Sequence, residues 1–182
     1  MKYFLTVAIP SNPSKLANYD IDGLVTYCDF LNLMSYDYAG AWSSKVAHHS
    51  NLCDTSVAIE ACCRAGIPPN HLVMGIPTYG RGFCGNFKNG DFCNKPFDSI
   101  CPGTIEPGIV SYSQLRTNYL NKSGLWKEWF DEKSSCTWAI KTDGTQVIGF
   151  DNPTSIERKG KYIKEKGLGG FMVCIVFILL KK

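Results

Sequence analysis

The sequence predicts an α/β fold, in which parallel strands alternate with helices. Four short runs are mainly apolar and do not alternate, a pattern typical of strands covered on both faces; the predicted strands lie near residues 4–9, 30–36, 72–76 and 170–176. Helix-forming segments separate some of these runs. The 182 residues are 45% hydrophobic and 13% aromatic, which is enough for one domain with its own core.

Two helices are predicted from capping signals and charge patterning. The first covers residues 56–65, with Asp54 or Thr55 as its N-cap and Gly66 as its stop. The second is charged and amphipathic, opens at Asn152-Pro153 and continues through Lys166. Each helix precedes an apolar run, which gives the alternation of an α/β protein.

A long stretch between Gly82 and Gln146 interrupts this alternation. It holds four of the nine cysteines, many glycines and prolines, and three aromatic clusters. Its length of about 65 residues far exceeds the roughly 2–6 residues of a typical connection between a strand and a helix. We therefore predict an inserted α+β subdomain, and divide the chain into residues 1–83, 84–146 and 147–182.

The cysteine content favours an oxidising compartment, since nine cysteines in 182 residues is high for a reduced cytosolic protein. Some of the four cysteines in the insertion are expected to form disulfides; these are Cys84, Cys93, Cys101 and Cys136. The odd total leaves at least one thiol free, for which Cys174 is the candidate. Asn121 begins the one glycosylation sequon, Asn-Lys-Ser.

Composition and spacing argue against several classes of ligand. The net charge of +3 is scattered without a dense basic block, which makes nucleic acid a poor candidate partner. The cysteines and histidines lack the paired spacings of a zinc site, so neither a metal nor another cofactor is expected. Residues 171–180 form an apolar run of about half the length of a bilayer-spanning helix, so no membrane association is expected. Residues 3–9 fit a strand better than a signal peptide.

Polar and aromatic side chains follow the ends of the second and third predicted strands. Tyr36, Asp37 and Trp42 come after the second strand, and Tyr79 and Arg81 come after the third. The carboxyl ends of parallel barrel strands face the substrate. We therefore expect these side chains to share one rim, with Asp37 and Arg81 within ion-pair reach.

Two adjacent histidines, His48 and His49, invite comparison with a metal-ligand pair. Neighbouring side chains on a strand or an extended loop point to opposite sides. We therefore expect the two rings to point apart and to have surface or packing roles.

The motifs around these residues resemble those of the family 18 glycoside hydrolases, which are (β/α)8 chitinases. The sixth barrel strand of that family carries Met-x-Tyr-Asp and Gly-x-Trp, matched here by Met34, Tyr36, Asp37, Gly40 and Trp42. The seventh carries Gly-x-Pro-x-Tyr-Gly-Arg, matched by Gly75, Pro77, Tyr79, Gly80 and Arg81. Further similarity covers residues 5–10, 50–52, 65–68 and 167–172. The resemblance implies a partial TIM barrel containing strands five to eight, with the insertion between strands seven and eight.

The resemblance also implies an activity, a substrate and a location. Family members hydrolyse β-1,4-linked N-acetylglucosamine with retention, and the N-acetyl oxygen of the sugar is the nucleophile. The implied partner is chitin or chito-oligosaccharide, and the implied location is extracellular or the secretory pathway.

Roles for individual side chains follow from the same resemblance. Tyr36 would hold the N-acetyl group, and Asp37 would contact the sugar and pair with Arg81. Met34 would line the site, Trp42 would stack on a sugar, and Tyr79 would line the cleft or pack beneath the insertion.

Two departures from the family pattern bear on activity. The catalytic acid of the family is a Glu that ends an Asp-x-x-Asp-x-Asp-x-Glu motif on strand four, and this spacing is absent here. Cys174 stands where the eighth strand of the family carries a Trp. We therefore expect an inactive chitinase fragment; the alternatives are a chitinase-like lectin that binds without cleaving, and a diverged remnant without function.

Overall fold

Two β-sheets organise the computed structural model, which describes residues 3–87, 91–120 and 124–174. The first sheet is parallel and has the strand order β1-β2-β3-β10. Its strands are β1 (Thr6–Pro10), β2 (Phe30–Met34), β3 (Leu72–Pro77) and β10 (Gly170–Cys174). The four predicted strands are therefore present and parallel, and the second and third are neighbours, as expected. Residues 175 and 176 of the fourth predicted strand lie outside the described residues.

Burial differs among these strands. In β3 every residue is buried, whereas β2 alternates between buried Leu31 and Leu33 and half-buried Asn32 and Met34. The expectation that all four strands are covered on both faces is therefore wrong for the described structure, in which only β3 fits it. The buried face of β2 packs in a core that also contains Ile59.

Five α-helices accompany the strands in the part of the chain that is described. They are α1 (Pro13–Leu16), α2 (Ile21–Tyr27), α3 (Leu52–Arg64), α4 (Tyr112–Gln114) and α5 (Pro153–Glu165). None of them is both long and apolar enough to cross a membrane.

Helix α3 begins earlier than predicted. Its N-cap is Asn51, whose Oδ1 accepts a hydrogen bond of 2.8 Å from the Asp54 amide. Asp54 and Thr55, the predicted caps, lie inside the first turn instead. Asn51 is an equally good capping residue, and it adds one turn to the helix. The predicted start of α5 at Asn152-Pro153 is confirmed: Asn152 is the N-cap and forms a reciprocal capping box with Ser155.

The second sheet is antiparallel and lies between β3 and β10 in the chain. Its strands are β4 (Tyr79–Cys84), β5 (Ser99–Ile100), β6 (Ile109–Ser111), β7 (Trp126–Asp131), β8 (Cys136–Lys141) and β9 (Gln146–Phe150). A π-helical segment, Leu115–Leu120, follows α4. The sheet starts at Tyr79 and ends at Phe150, so it extends beyond the predicted 84–146 on both sides. One residue, Thr78, separates β3 from β4.

A disulfide between Cys84 and Cys101 links the end of β4 to the residue after β5. The other two disulfide candidates, Cys93 and Cys136, are free thiols, as is Cys174. The glycosylation candidate Asn121 lies outside the described residues.

Candidate active site

The candidate site lies where β2 ends and β4 begins. Asp37 has a left-handed backbone conformation with φ of 63°. Asp adopts this conformation more readily than most residues, at a modest cost. Ser35 fixes the start of the turn, since its hydroxyl donates a hydrogen bond of 2.8 Å to the Gly75 carbonyl on β3. The end of β2 is thereby tied to its neighbouring strand.

The Asp37 carboxylate is held by two donors from β4. Arg81 Nε donates to Asp37 Oδ1 at 2.7 Å, and the Tyr79 hydroxyl donates to the same oxygen at 2.8 Å. The predicted ion pair is therefore present. Burial raises the pKa of the Asp37 carboxyl, but His49, Arg81 and Tyr79 lower it by more, so the pKa lies well below its ordinary value. Asp37 is consequently a carboxylate at neutral pH.

Tyr36 is the second polar group of the site. Its ring meets the ring of Tyr79 edge to face, with 6.4 Å between centroids. Burial, followed by the neighbouring Cys174 thiol and the charge of Asp37, raises the pKa of the Tyr36 hydroxyl above its ordinary value. Tyr36 therefore stays protonated and can donate a hydrogen bond at neutral pH.

Gly75 provides the space that the Tyr36 ring occupies. A Cβ at position 75 would lie 2.7 Å from Tyr36 Cε1 and 2.5 Å from the Leu33 carbonyl oxygen. Both distances are too short for contacts between heavy atoms, so any side chain here must displace the ring and part of the β2 backbone.

We expect Gly75→Ala to destabilise the protein by about 1–3 kcal/mol, because it overpacks the contact between β2 and β3. Urea unfolding followed by circular dichroism measures the change. Gly160→Ala on α5 is the matched control: a Cβ there meets nothing within 4 Å, and we expect a gain of about 0.5–1 kcal/mol. Equal effects of the two substitutions would contradict this reading of Gly75.

Trp42 offers an exposed aromatic face beside these groups. Its side chain is 62% exposed. The Arg81 guanidinium lies 4.7 Å from the ring centroid, and a Cβ at Gly40 would come within 2.6 Å of the ring. Arg81 and Gly40 therefore support the indole.

A cleft of about 590 Å³ joins these side chains. Its wall contains Met34, Tyr36, Asp37 and Trp42, together with Lys15 and other residues that follow β1. Arg81 and Tyr79 are not part of this wall. Tyr79 is 3% exposed and lies behind Asp37. Arg81 and Tyr79 therefore influence the cleft indirectly, by fixing the position of the Asp37 carboxylate.

The predicted orientation of the two adjacent histidines is wrong. Their rings stack with 5.5 Å between centroids and 17° between planes, so they do not point apart. The physical reason is that residues 48 and 49 lie outside any strand, and the alternation of an extended chain does not apply. Both residues are buried. The packing role is consistent with this placement. Nothing in the sequence indicates that His49 lies beside Asp37, with 3.6 Å between Nδ1 and Oδ1.

His48 is fixed by three backbone groups. Its Nε2 lies 3.0 Å from the Thr137 carbonyl and 3.2 Å from the Phe150 carbonyl, and its Nδ1 accepts from the Ser50 amide at 3.1 Å. These partners require the Nε2–H tautomer. Burial lowers the pKa of His48 to about 3, so the ring is neutral at physiological pH.

A buried ion pair lies close enough to His48 to interact with it electrostatically. Lys159 Nζ on α5 is 2.6 Å from Asp151 Oδ2, and both side chains are fully buried. Ser50 and Ser155 each donate a hydrogen bond of 2.8 Å to the same carboxylate. Sequence reasoning missed this network, because Lys159 looks like one of many charges on an amphipathic helix.

The described residues contain no group of three or more His, Cys, Asp or Glu side chains that is arranged to hold a metal ion.

The site consists of the Asp37 carboxylate, the protonated Tyr36 phenol and the exposed Trp42 indole along one cleft. Such a set can hydrogen-bond and stack against a sugar.

Comparison with known proteins agrees with this geometry. The sequence model for "Glycosyl hydrolases family 18" matches residues 1–174. Chitinase 1 of Aphanocladium album is 32% identical over 93% of this chain and 40% of its own length. Chitinase A1 of Niallia circulans is 31% identical over 94% of this chain and 27% of its own length. The chain thus spans less than half of each of these relatives.

Solved structures give the same result. A family 18 chitinase from Cycas revoluta, in complex with (GlcNAc)3, has a TM-score of 0.82 and 28% identity over 93% of this chain and 50% of that chain. A class V chitinase from Nicotiana tobaccum has a TM-score of 0.84 and 26% identity over 93% of this chain and 51% of that chain. Sequence and fold agree, and the chain belongs to the glycosyl hydrolases of family 18.

Proposed function

We propose that this chain supplies strands five to eight of a family 18 chitinase that acts on β-1,4-linked N-acetylglucosamine polymers. The observation that carries the proposal is the cleft in which Tyr36, Asp37 and Trp42 lie together. The two relatives described above are named chitinases, which favours a hydrolase over a lectin.

In this proposal Tyr36 and Asp37 prepare the sugar for attack by its own N-acetyl oxygen. The Tyr36 hydroxyl, protonated at neutral pH, donates a hydrogen bond to the N-acetyl group and holds it in line. The Asp37 carboxylate contacts the same sugar and offsets positive charge that develops in the transition state. Arg81 and Tyr79 fix the direction of that carboxylate.

The leaving group of this reaction needs a proton donor. Asp37 is a poor candidate, because its pKa lies far below neutral pH. In the family a strand-four Glu has this role, and the sequence printed here holds no match to its motif. We therefore propose that this chain, taken alone, binds and orients sugar without cleaving it.

The proposed ligand and location have separate support. The Cycas revoluta protein was solved with (GlcNAc)3 and with allosamidin, and both occupy a protein of the same fold. Secretion is supported by the Cys84–Cys101 disulfide, which is typical of oxidising compartments.

We expect Trp42→Ala to weaken chitotriose binding by about tenfold or more, because the indole supplies the exposed stacking face of the cleft. Isothermal titration calorimetry on the 182-residue chain measures the change. Trp129→Ala is the matched control: Trp129 is 45% exposed on β7 and is absent from the cleft wall, so binding should be unchanged. Loss of binding in the control but not in Trp42→Ala would contradict the proposed site.

A further inference from the structure

We propose that His49 is a positioning residue for Asp37, whose ring holds one carboxylate oxygen so that the other stays available to the sugar. The contact between Asp37 and the sugar rests on the proposed function. The contact between His49 and Asp37 concerns the protein alone.

Within the described residues, the partners of the Asp37 carboxylate converge on one oxygen. Arg81 Nε at 2.7 Å, the Tyr79 hydroxyl at 2.8 Å and His49 Nδ1 at 3.6 Å all approach Oδ1. No side chain or amide of the described residues donates a hydrogen bond to Oδ2. Because Asp37 forms part of the cleft wall, Oδ2 is the oxygen left to receive a hydroxyl or amide of a ligand.

The His49 ring is fully buried, and neither of its nitrogens has a hydrogen-bond partner within the described structure. A buried polar group without a partner is destabilising, so its retention calls for an explanation. The nearest acceptor to Nδ1 is Asp37 Oδ1. An approach of about 0.6 Å would turn the 3.6 Å contact into a hydrogen bond of ordinary length.

Aromatic neighbours hold the ring in this orientation. His49 stacks on His48 at 5.5 Å on one side and meets Tyr79 at 5.2 Å with 32° between planes. Its carbonyl also accepts from the Tyr38 amide at 3.0 Å. His48 is itself fixed by carbonyls of β8 and β9. The ring is therefore positioned by the second sheet and cannot turn away from Asp37 without displacing several packed groups.

The charges around His49 favour a neutral donor. The titratable and charged groups that face it are Asp37, Arg81, Asp151, His48 and Tyr79. Burial outweighs the attraction of the two carboxylates and lowers the pKa of His49. A neutral ring that carries its proton on Nδ1 donates to Oδ1 without adding a second cation beside Arg81.

The tautomer of His49 is the first test, and it needs no sugar. Long-range proton–nitrogen correlation spectra of the 182-residue chain at pH 7 are expected to show a neutral ring protonated at Nδ1. His48 serves as the internal control, since its partners require Nε2–H. A His49 ring protonated only at Nε2 cannot donate to Asp37 and would overturn the inference.

Two substitutions separate positioning from packing. His49→Asn keeps an N–H donor at about the place of Nδ1, whereas His49→Leu fills similar volume without a donor. We expect His49→Leu to weaken chitotriose binding about tenfold, and His49→Asn to restore it to within about threefold of the parent chain, as for loss of one hydrogen bond to a charged group. Thermal melts of both variants report on folding.

The two proposals fail in distinguishable ways. If the parent chain does not bind chitotriose, the proposed function fails, while the His49 tautomer still decides the contact with Asp37. If the parent binds and His49→Asn is as weak as His49→Leu although both variants fold, the hydrogen bond to Asp37 is not what positions the carboxylate, and the inference is wrong.

Discussion

The purified 182-residue chain is expected to release no fluorescent leaving group from a chitotriose glycoside above background. In the proposed function Tyr36 orients the N-acetyl group, but attack does not proceed unless the departing oxygen receives a proton. A well-placed general acid contributes roughly 10²- to 10⁴-fold in rate. Asp37 is ionised, and Tyr36 has a pKa above its ordinary value, so neither supplies that proton near pH 7.

The assay needs a positive and a negative control. A full-length family 18 chitinase, measured in parallel, shows that the substrate is competent. Tyr36→Phe in this chain keeps the ring and removes the hydroxyl that is proposed to hold the N-acetyl group. Turnover by the parent chain that vanishes in Tyr36→Phe would mean that a residue of this chain acts as the acid, and the proposal that it only binds and orients sugar would be wrong.

Removal of the buried ammonium of Lys159 has the largest expected effect on stability. Lys159→Met leaves the Asp151 carboxylate buried with the Ser50 and Ser155 hydroxyls as its remaining donors. An uncompensated buried charge of this kind costs about 3–5 kcal/mol. Lys161→Met on the same helix is the matched control, since the Lys161–Glu157 pair is exposed and such pairs contribute about 0.5 kcal/mol or less. Chemical unfolding at pH 7 measures both.

The difference in free energy of unfolding between the parent chain and Lys159→Met is expected to depend on pH. Burial raises the pKa of Asp151, but Lys159, His48 and Ser155 outweigh it, and the folded-state pKa lies below the ordinary value of 3.8. A carboxylate with a depressed pKa contributes fully above about pH 4 and loses its contribution as pH falls further. In Lys159→Met the carboxyl loses the ammonium that lowers its pKa, so burial raises that pKa and protonation on acidification relieves the buried charge. The difference should therefore be largest at neutral pH and shrink as the solution becomes more acidic. A difference that grows on acidification would contradict this assignment.

Much of the fold could be predicted because its signals are local. The strands of the parallel sheet are mainly apolar runs, and Asn152-Pro153 is a strong helix start. The start of α3 was placed too late because Asn51, Asp54 and Thr55 can all cap a helix, and the choice depends on how the preceding loop packs. The start of the second sheet at Tyr79 was missed for a similar reason, since only strand pairing shows that β4 belongs to it.

The site was predictable in part. Tyr36, Asp37 and Trp42 stand together because a single strand end carries them, and Arg81 could be paired with Asp37 because opposite charges follow neighbouring strands. His49 and Lys159 could not be recognised. Their partners are 12 and 8 positions away in the chain, across a turn and along a helix, and their importance comes from burial, which neither residue type reveals.

The single residue between β3 and β4 limits where two related chains can be joined to form a chimaera. Thr78 is held from two directions, by its amide to the Cys174 carbonyl and by its carbonyl to the Tyr112 amide. A chimaera joined at residue 84 would take β5 to β9 from one parent and leave β4, with Tyr79 and Arg81, in the other. The new strands would then have to pair with a foreign β4, the strand whose Tyr79 and Arg81 hold Asp37. Exchange between relatives is therefore expected to preserve the site only when the crossover falls before Tyr79 and after Phe150.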